Sequence, residues 1–320
     1  MFAMHVKTLG DSLKMVDIPT PQPAPNEIQI RVSAVGMNFA DLLISQGQYQ
    51  IKPPLPFSPG MEVCGVISAL GEEINDRQIG TRVAGIANFG GLAEYICLPH
   101  GQCLDVPDKM SDEIAAGFII AYGTSYLALV KRAKLQAQDN LLVLGASGGV
   151  GRTAVEIGRV IGAKVIAAAS SDNKLKEAKI AGADHLIHSL QDDLRSKVKA
   201  LGGADVVYDP VGGSLFNSAM RSMNPEGRII PIGFASGDIP SIPANILLVK
   251  NLDVIGCYWG GYLTFNPKVI RQCLSELFIW FEQGLIAPHI SSSFPLKEAN
   301  EALQLMATRQ AVGKIVIKIM

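Results

Sequence analysis

The chain contains no Cys-x-x-Cys pair and no His-Glu-x-x-His, the spacings that most directly announce bound zinc. Its five cysteines, Cys64, Cys97, Cys103, Cys257 and Cys273, are scattered, odd in number and sparse for 320 residues. That usage argues against a disulfide scaffold and for a reduced, cytoplasmic protein. Cys97, His100 and Cys103 form a local trio, but a closed structural zinc site takes four ligands, so a strand end followed by a turn is the expected reading and no metal is expected. There is no basic surplus: 28 lysines and arginines face 29 acidic residues, for a net charge of −1. The electrostatic footprint of a nucleic-acid or anionic-membrane binder is therefore missing. No uninterrupted apolar run reaches the ~18 residues of a membrane-spanning helix. The opening MFAMHVKTLG has no apolar stretch with a small-residue cleavage site, so no secretory leader is expected.

What is present is the composition of a folded protein, 48% hydrophobic and 18% charged. The length is generous for one core and comfortable for two. Up to about residue 117 the chain reads as strands joined by turns. Residues 27–35 alternate apolar and polar, residues 63–70 and 81–86 form further strands, and prolines crowd the connections. After about residue 118 short apolar runs (141–144, 164–169, 184–187, 205–208, 228–232, 253–257) alternate with helix-length segments. That alternation is the signature of a parallel sheet covered on both faces. Residues 268–283 and 298–306 read as amphipathic helices and 314–319 as a last strand returning to the first region. The expected fold is α/β: a mostly β domain from residues 1–120 and 260–320, with a doubly wound domain, 121–259, inserted between them.

The strongest local signal is the turn Ala146-Ser147-Gly148-Gly149-Val150-Gly151. It is A-x-G-x-x-G, a dinucleotide fingerprint with alanine in place of the first glycine. The bare pattern is weak, but here an apolar strand precedes it, a helix follows, and a second strand ends about 20 residues on. Gly148 lets backbone approach a pyrophosphate, Gly151 lets the helix lie close to the strand, and the helix start offers N–H groups and partial positive charge. An acidic residue ending the second strand would hold the ribose of NAD. This strand instead ends at Ser170-Ser171, with Lys174 following. Two hydroxyls and a lysine suit the 2′-phosphate of NADPH. The plainer alternative is a solvated Lys174 and a serine that only caps a helix.

With those residues in view, the chain resembles the quinone oxidoreductase branch of the medium-chain dehydrogenase/reductase superfamily. The likeness runs over nearly the whole length. It is carried by GMNFADLL (36–43), SQGQY (45–49), PFSPGMEVCGVI (56–67), GGLAEY (90–95), YGTSY (122–126), LGASGGVG (144–151), DPVGG (209–213), IGFASG (232–237) and VGKIVIKI (312–319). The resemblance implies a GroES-like β domain beside a Rossmann domain. Zinc-dependent members carry a ligand cysteine in the segment matching residues 36–41 and a ligand histidine at the position of Met61, so the resemblance is to the zinc-free branch. It implies that Thr124 and the backbone of residues 148–150 face the nicotinamide riboside and pyrophosphate. It implies Ser170 and Lys174 at the 2′-phosphate, Gly233, Phe234 and Ala235 beside the nicotinamide, and Asn38, Asp41 and Tyr49 along the substrate cleft. Two departures stand out. A tyrosine that often supports the adenosine end is replaced near Ser189, and a glutamine after the glycine turn is Glu156, read as helix packing. A homodimer is also implied.

The expected chemistry is hydride transfer from NADPH to a small-molecule acceptor, a quinone or the β-carbon of a conjugated carbonyl. Tyr49 is the preferred proton donor or orienter, since its hydroxyl donates and its ring stacks on a planar acceptor; otherwise it is a loop aromatic packed on its own domain. Asn38 is placed to hydrogen-bond a carbonyl or a ribose, or else to make a turn. Asp41 serves a helix start as readily as a substrate. The stretch Cys257-Tyr258-Trp259-Gly260-Gly261-Tyr262 either walls an acceptor pocket or packs a subunit interface. Competing readings are an enoyl-thioester or alkenal reductase, and a non-catalytic NADPH-binding sensor.

Overall fold

A computed structural model describes residues 1–319 of the chain. Two compact units emerge, one from residues 1–120 and 288–320 and the other from residues 121–287.

The first unit is built on a seven-stranded sheet. Its spine is the strand Glu27–Met37, which pairs antiparallel with Glu62–Leu70 along one edge. The other edge is shared by Tyr95–Pro99 and Lys314–Lys318. The last strand therefore does return to the first region of the chain. The expected alternation in Glu27–Met37 is only partly realised in burial, because both faces are covered over most of its length. Even Gln29 is buried, and its amide is satisfied by the Ser68 hydroxyl at 2.6 Å and by the Pro21 carbonyl. A short helix, Phe39–Ser45, follows this strand, with Asp41 in its first turn, the helix start that is one of the two readings of that residue.

The second unit is a six-stranded parallel sheet. Numbered within the sheet by chain order, its strands lie 3-2-1-4-5-6. The central strands Asn140–Leu144 and Lys164–Ala169 are buried almost without interruption, as strands covered on both faces must be. Strand Ala204–Asp209 pairs with Asn140–Leu144, which puts the reversal of strand order between them. Binding crevices form at such reversals, outside the carboxyl ends of the strands. The run expected over 253–257 shrinks to Asp253–Val254, an edge strand with a partner on one side only.

Residues 260–287 lie in this second unit, not with the chain ends as expected. The helix Pro267–Glu282 buries Ile270, Cys273, Leu274 and Leu277, and Trp280 sets its ring edge-on to Tyr126 at 5.3 Å. Arg159 then ties the following turn by donating to the Leu285 carbonyl at 2.7 Å. Among the described residues one helical stretch, Asp112–Arg132, is long and apolar enough to cross a bilayer, but 78% of its apolar window is buried inside the protein. It is a core helix by that measure.

Candidate functional site

The glycine turn sits at the carboxyl end of strand Asn140–Leu144. Gly145 enters it with φ +58° and accepts the Gly148 N–H at 3.0 Å. Gly148 is the N-cap of helix Gly149–Ile161 and makes no side-chain cap, so no side chain occupies the first N–H groups of the helix. The two diagnostic glycines have different surroundings. A Cβ on Gly151 would lie 2.1 Å from the Gly145 carbonyl oxygen, so only glycine lets helix and strand meet there. A Cβ on Gly148 would meet nothing nearer than that same oxygen at 3.4 Å. The space in front of Gly148 is open, as backbone approach by a pyrophosphate requires. Ala146 and Ser147 are buried beneath the turn, and Ala146 donates its N–H to the Ala168 carbonyl of the next strand.

The other predicted nucleotide residues gather at the same edge of the sheet. Ser170 follows strand Lys164–Ala169 and accepts from Lys174 Nζ at 3.3 Å. Capping of helix Asp172–Ile180 falls to Ser171, whose hydroxyl accepts the Lys174 N–H. Ser170 is thus left to Lys174, and the two remain half-buried. Ser189 leaves the neighbouring strand and donates its N–H to the Ala169 carbonyl at 2.9 Å. Gly233, Phe234 and Ala235 follow strand Met223–Pro231, held by Gly233 and Ala235 N–H bonds to the carbonyls of Asp209 and Pro210. A Cβ on Gly233 would meet only the Pro210 oxygen, at 3.5 Å, so this loop too presents open backbone. Backbone glycines, two hydroxyls and a lysine at one carboxyl edge of the sheet fit a dinucleotide with a third phosphate.

Thr124 is buried in helix Asp112–Tyr126. Its neighbour Ser125 was missed by sequence reasoning and does the anchoring. The Ser125 hydroxyl lies 3.0 Å from the Val150 carbonyl, 2.7 Å from the Thr153 hydroxyl and 2.8 Å from the Tyr208 hydroxyl. Those contacts fix Thr124 beside the turn. Asp209, also missed, opens DPVGG and accepts the N–H groups of Val211 and Gly212 at 2.7 and 2.9 Å. Burial pushes its carboxyl upward against those bonds. Glu156 is more than helix packing. It accepts the Tyr122 hydroxyl at 2.6 Å and the Ala287 N–H at 3.0 Å, and burial again raises its pKa. Trp259 is buried against Gly123, where a Cβ would come within 2.7 Å of Nε1. That aromatic belongs to the core of its own unit, while Tyr258 stays exposed.

In the first unit, Asn38 caps helix Phe39–Ser45 and is half-buried. Its carboxamide oxygen accepts from Lys314 Nζ at 2.6 Å, and its nitrogen donates to Glu62 Oε1 at 3.0 Å and to the Gly36 carbonyl at 3.3 Å. Lys314 Nζ also meets Glu62 Oε1 at 2.6 Å. Asp41 does not border open space. It is wholly buried, and its two oxygens accept the N–H groups of Asn38 and Gly60, each at 2.8 Å. Loss of solvent dominates its ionisation and lifts the carboxyl to about 6, against the pull of those N–H groups and Lys314. Asp41 braces the helix start from below, a positioning role rather than contact with substrate. Tyr49 is half-buried and packs on the hydrophobic core of this unit. Met61, at the position where zinc-dependent relatives carry histidine, is buried in that core. Cys97 lies on strand Tyr95–Pro99, His100 pairs with Asp76 at 3.1 Å, and buried Cys103 points its Sγ at the Pro99 carbonyl. Among the described residues no group of three or more His, Cys, Asp or Glu is placed to hold a metal ion.

Family models match both halves. Residues 24–108 match an alcohol dehydrogenase GroES-like domain, and residues 149–277 match a zinc-binding dehydrogenase domain. The second match ends at residue 277, inside the helix Pro267–Glu282 assigned above to the nucleotide unit. Quinone oxidoreductase-like protein 2 of Bos taurus is 39% identical over 310 residues, covering 95% of this chain and 89% of that protein. The quinone oxidoreductase of Thermus thermophilus, solved also in complex with NADPH, superposes with TM-score 0.89 at 34% identity, with both chains covered in full. The Escherichia coli quinone oxidoreductase complexed with NADPH gives TM-score 0.94 at 27% identity, again over the whole of both chains. The likeness covers the parallel sheet with its glycine turn and the β unit made from both chain ends. The chain belongs to the quinone oxidoreductase branch of the medium-chain dehydrogenase/reductase superfamily.

Proposed function

We propose that the protein is an NADPH-dependent reductase of quinones or related conjugated carbonyl compounds, active without zinc. The observation that carries this reading is the gathering of the open glycine turn, Ser170 with Lys174, Ser189 and the loop of Gly233 to Ala235 at one carboxyl edge of the parallel sheet. Relatives solved with NADPH support the choice of cofactor. When bound, NADPH supplies the hydride.

The chain's own residues then have separable tasks. The N–H groups at the start of helix Gly149–Ile161 hold the pyrophosphate, and Lys174 with Ser170 holds the 2′-phosphate. A quinone or enone that takes a hydride also needs a proton on oxygen or on the α-carbon. Tyr49 is assigned to supply or orient it through its hydroxyl. Zinc independence is supported by the two positions that would carry ligands: Asn38 is committed to Lys314 and Glu62, and Met61 is an apolar core residue.

The test is turnover of a panel of quinones, alkenals and enoyl thioesters with NADPH and with NADH. The expected result is quinone or enone reduction with a strong NADPH preference. Lys174→Ala is expected to raise KM for NADPH about tenfold or more, the worth of one charge-assisted bond, while leaving NADH use unchanged. A strong NADH preference sinks the cofactor reading. Tight NADPH binding without turnover on any acceptor sinks the enzymatic one and favours a sensor.

We also propose a homodimer in a reducing compartment. All five cysteines are free, and the sheet ends in the short edge strand Asp253–Val254, preceded in the chain by a helix, Ala244–Lys250, that exposes Leu248 and Val249. Light scattering is expected to give twice the chain mass, and a monomer would refute it.

A further inference from the structure

We propose that Lys314 is a positioning residue that, with Glu62, fixes the Asn38 carboxamide so that its oxygen and not its nitrogen is offered to a ligand. This rests on the reading above that Asn38 borders the bound cofactor or acceptor.

Amide orientation is ordinarily ambiguous, because carboxamide oxygen and nitrogen look alike. Here the partners decide it. An ammonium only donates, so the atom facing Lys314 Nζ at 2.6 Å is oxygen. A carboxylate only accepts, so the atom facing Glu62 Oε1 at 3.0 Å is nitrogen. The second amide hydrogen has the Gly36 carbonyl at 3.3 Å. Both donors of Asn38 are thereby committed, and what it retains is one lone pair on Oδ1. Such an atom receives a hydroxyl or an N–H group. It does not polarise an acceptor carbonyl, which narrows the two roles open from sequence to one.

The fold makes room for this arrangement at some cost. Glu62 is wholly buried and Lys314 nearly so. The other carboxylate oxygen of Glu62 takes the Ile120 N–H at 2.9 Å, so each of its oxygens has a partner. A Cβ on Gly36 would stand 2.7 Å from Glu62 Oε1 and 2.1 Å from the Ala116 carbonyl. A Cβ on Gly117 would stand 2.8 Å from the Lys314 stem. Two glycines thus clear space for one buried ion pair. Such pairs are often no more stabilising than apolar residues of the same size, so stability alone is a poor account of this one. Its third member, Asn38, is half-buried, the most exposed of the three.

The experiment compares wild type, Lys314→Met and the double variant Glu62→Gln/Lys314→Met. Lys314→Met leaves Glu62 without its cation and is expected to lose stability as well as function. The double variant carries no unpaired buried charge, yet the glutamine side chain introduced at position 62 can meet the Asn38 amide in either orientation. This variant is expected to melt close to wild type while NADPH affinity or kcat/KM for the acceptor falls about tenfold or more. Two readouts are independent of turnover: NADPH affinity by fluorescence titration, and solvent exchange of the Asn38 carboxamide protons by ¹⁵N-edited NMR. Those protons are expected to be protected in wild type and in Lys314→Met, which keeps both of their acceptors, and to exchange faster in the double variant, where the Glu62 carboxylate is gone. Wild-type affinity and kinetics in a stably folded double variant would overturn the proposal, as would unprotected Asn38 protons in wild type. If wild type turns over no acceptor, the reductase reading fails, and the exchange and NADPH measurements still decide the role of Lys314.

Discussion

Gly151→Ala is expected to abolish useful NADPH binding and to loosen the nucleotide unit. The added Cβ would sit 2.1 Å from the Gly145 oxygen, 2.8 Å from its carbon and 3.0 Å from Ala146 Cα. Every one of those atoms is backbone, so no side chain can swing aside. The helix Gly149–Ile161 must move off the strand by about an ångström, and overpacking of this kind costs about 1–3 kcal/mol or more. The same shift carries the N–H groups of residues 149–151 away from the place where a pyrophosphate would sit. The Ser125 bond to the Val150 carbonyl goes with them, and so does the placement of Thr124. Calorimetric titration should show NADPH affinity reduced at least thirtyfold, roughly 2 kcal/mol. The thermal midpoint should fall by about 4–10 °C. Gly148→Ala, with 3.4 Å of clearance, is the internal control: its fold should persist while its affinity drops. Unchanged affinity in Gly151→Ala would remove the turn from the binding site.

Replacing Asp41 with asparagine is expected to flatten the pH dependence of stability in the first unit. Folding lifts the Asp41 carboxyl from 3.8 to about 6, with desolvation as the largest cause. Below pH 3.8 both folded and unfolded chains hold the proton, and nothing differs. Between there and about 6 the unfolded chain has released its proton and the folded chain has kept it. Stability therefore falls as pH rises through that window, by about 3 kcal/mol in all, and stays level above it. The charged groups facing the carboxyl are Lys314, which favours ionisation, and Glu62, which opposes it. Both persist in Asp41→Asn, as do all other titrating groups, so the difference between the two proteins isolates Asp41. The variant carries a constant penalty of about 1–3 kcal/mol, because its amide nitrogen faces one of the two N–H groups now bonded to carboxylate oxygen. Urea unfolding at about pH 4, 5, 6 and 7, spanning the window between the two pKa values, measures this directly. A difference that does not change with pH would show that Asp41 titrates normally.

How much of this is visible in the sequence depends on how local each signal is. Strand Lys164–Ala169 is legible residue for residue, because a central parallel strand is a continuous apolar run bounded by polar residues. The cofactor turn is legible because strand, glycines and helix occupy one short window. Ser170 and Lys174 are legible together for the same reason, four residues apart on the entry to one helix. The helix Pro267–Glu282 is recognisable, but the sequence assigns it to the wrong unit, since an apolar stripe does not say which core it faces. Glu156 looks like packing because its partners, Tyr122 and Ala287, lie far away in the chain. Lys314 is invisible for a related reason. Within VGKIVIKI it reads as one more polar position in a strand, and only folding sets it against Glu62 and Asn38. Edge strands fail in the opposite direction: 253–257 is overextended because apolar residues continue past the point where pairing stops.

The first unit is stitched from the two ends of the chain, and that has a consequence for how the protein is made. The parallel-sheet unit occupies one uninterrupted stretch, residues 121–287, and has all of its strands once that stretch has left the ribosome. The other unit cannot close then. Its spine Glu27–Met37 waits for Lys314–Lys318 to cover the half of its edge that Tyr95–Pro99 leaves bare. Glu62 and Asp41, synthesised early, wait as long for Lys314, whose charge favours both carboxylates. The nascent chain therefore has every strand of its parallel-sheet unit, and the glycine turn with them, before Lys314 arrives to meet Glu62 and Asn38.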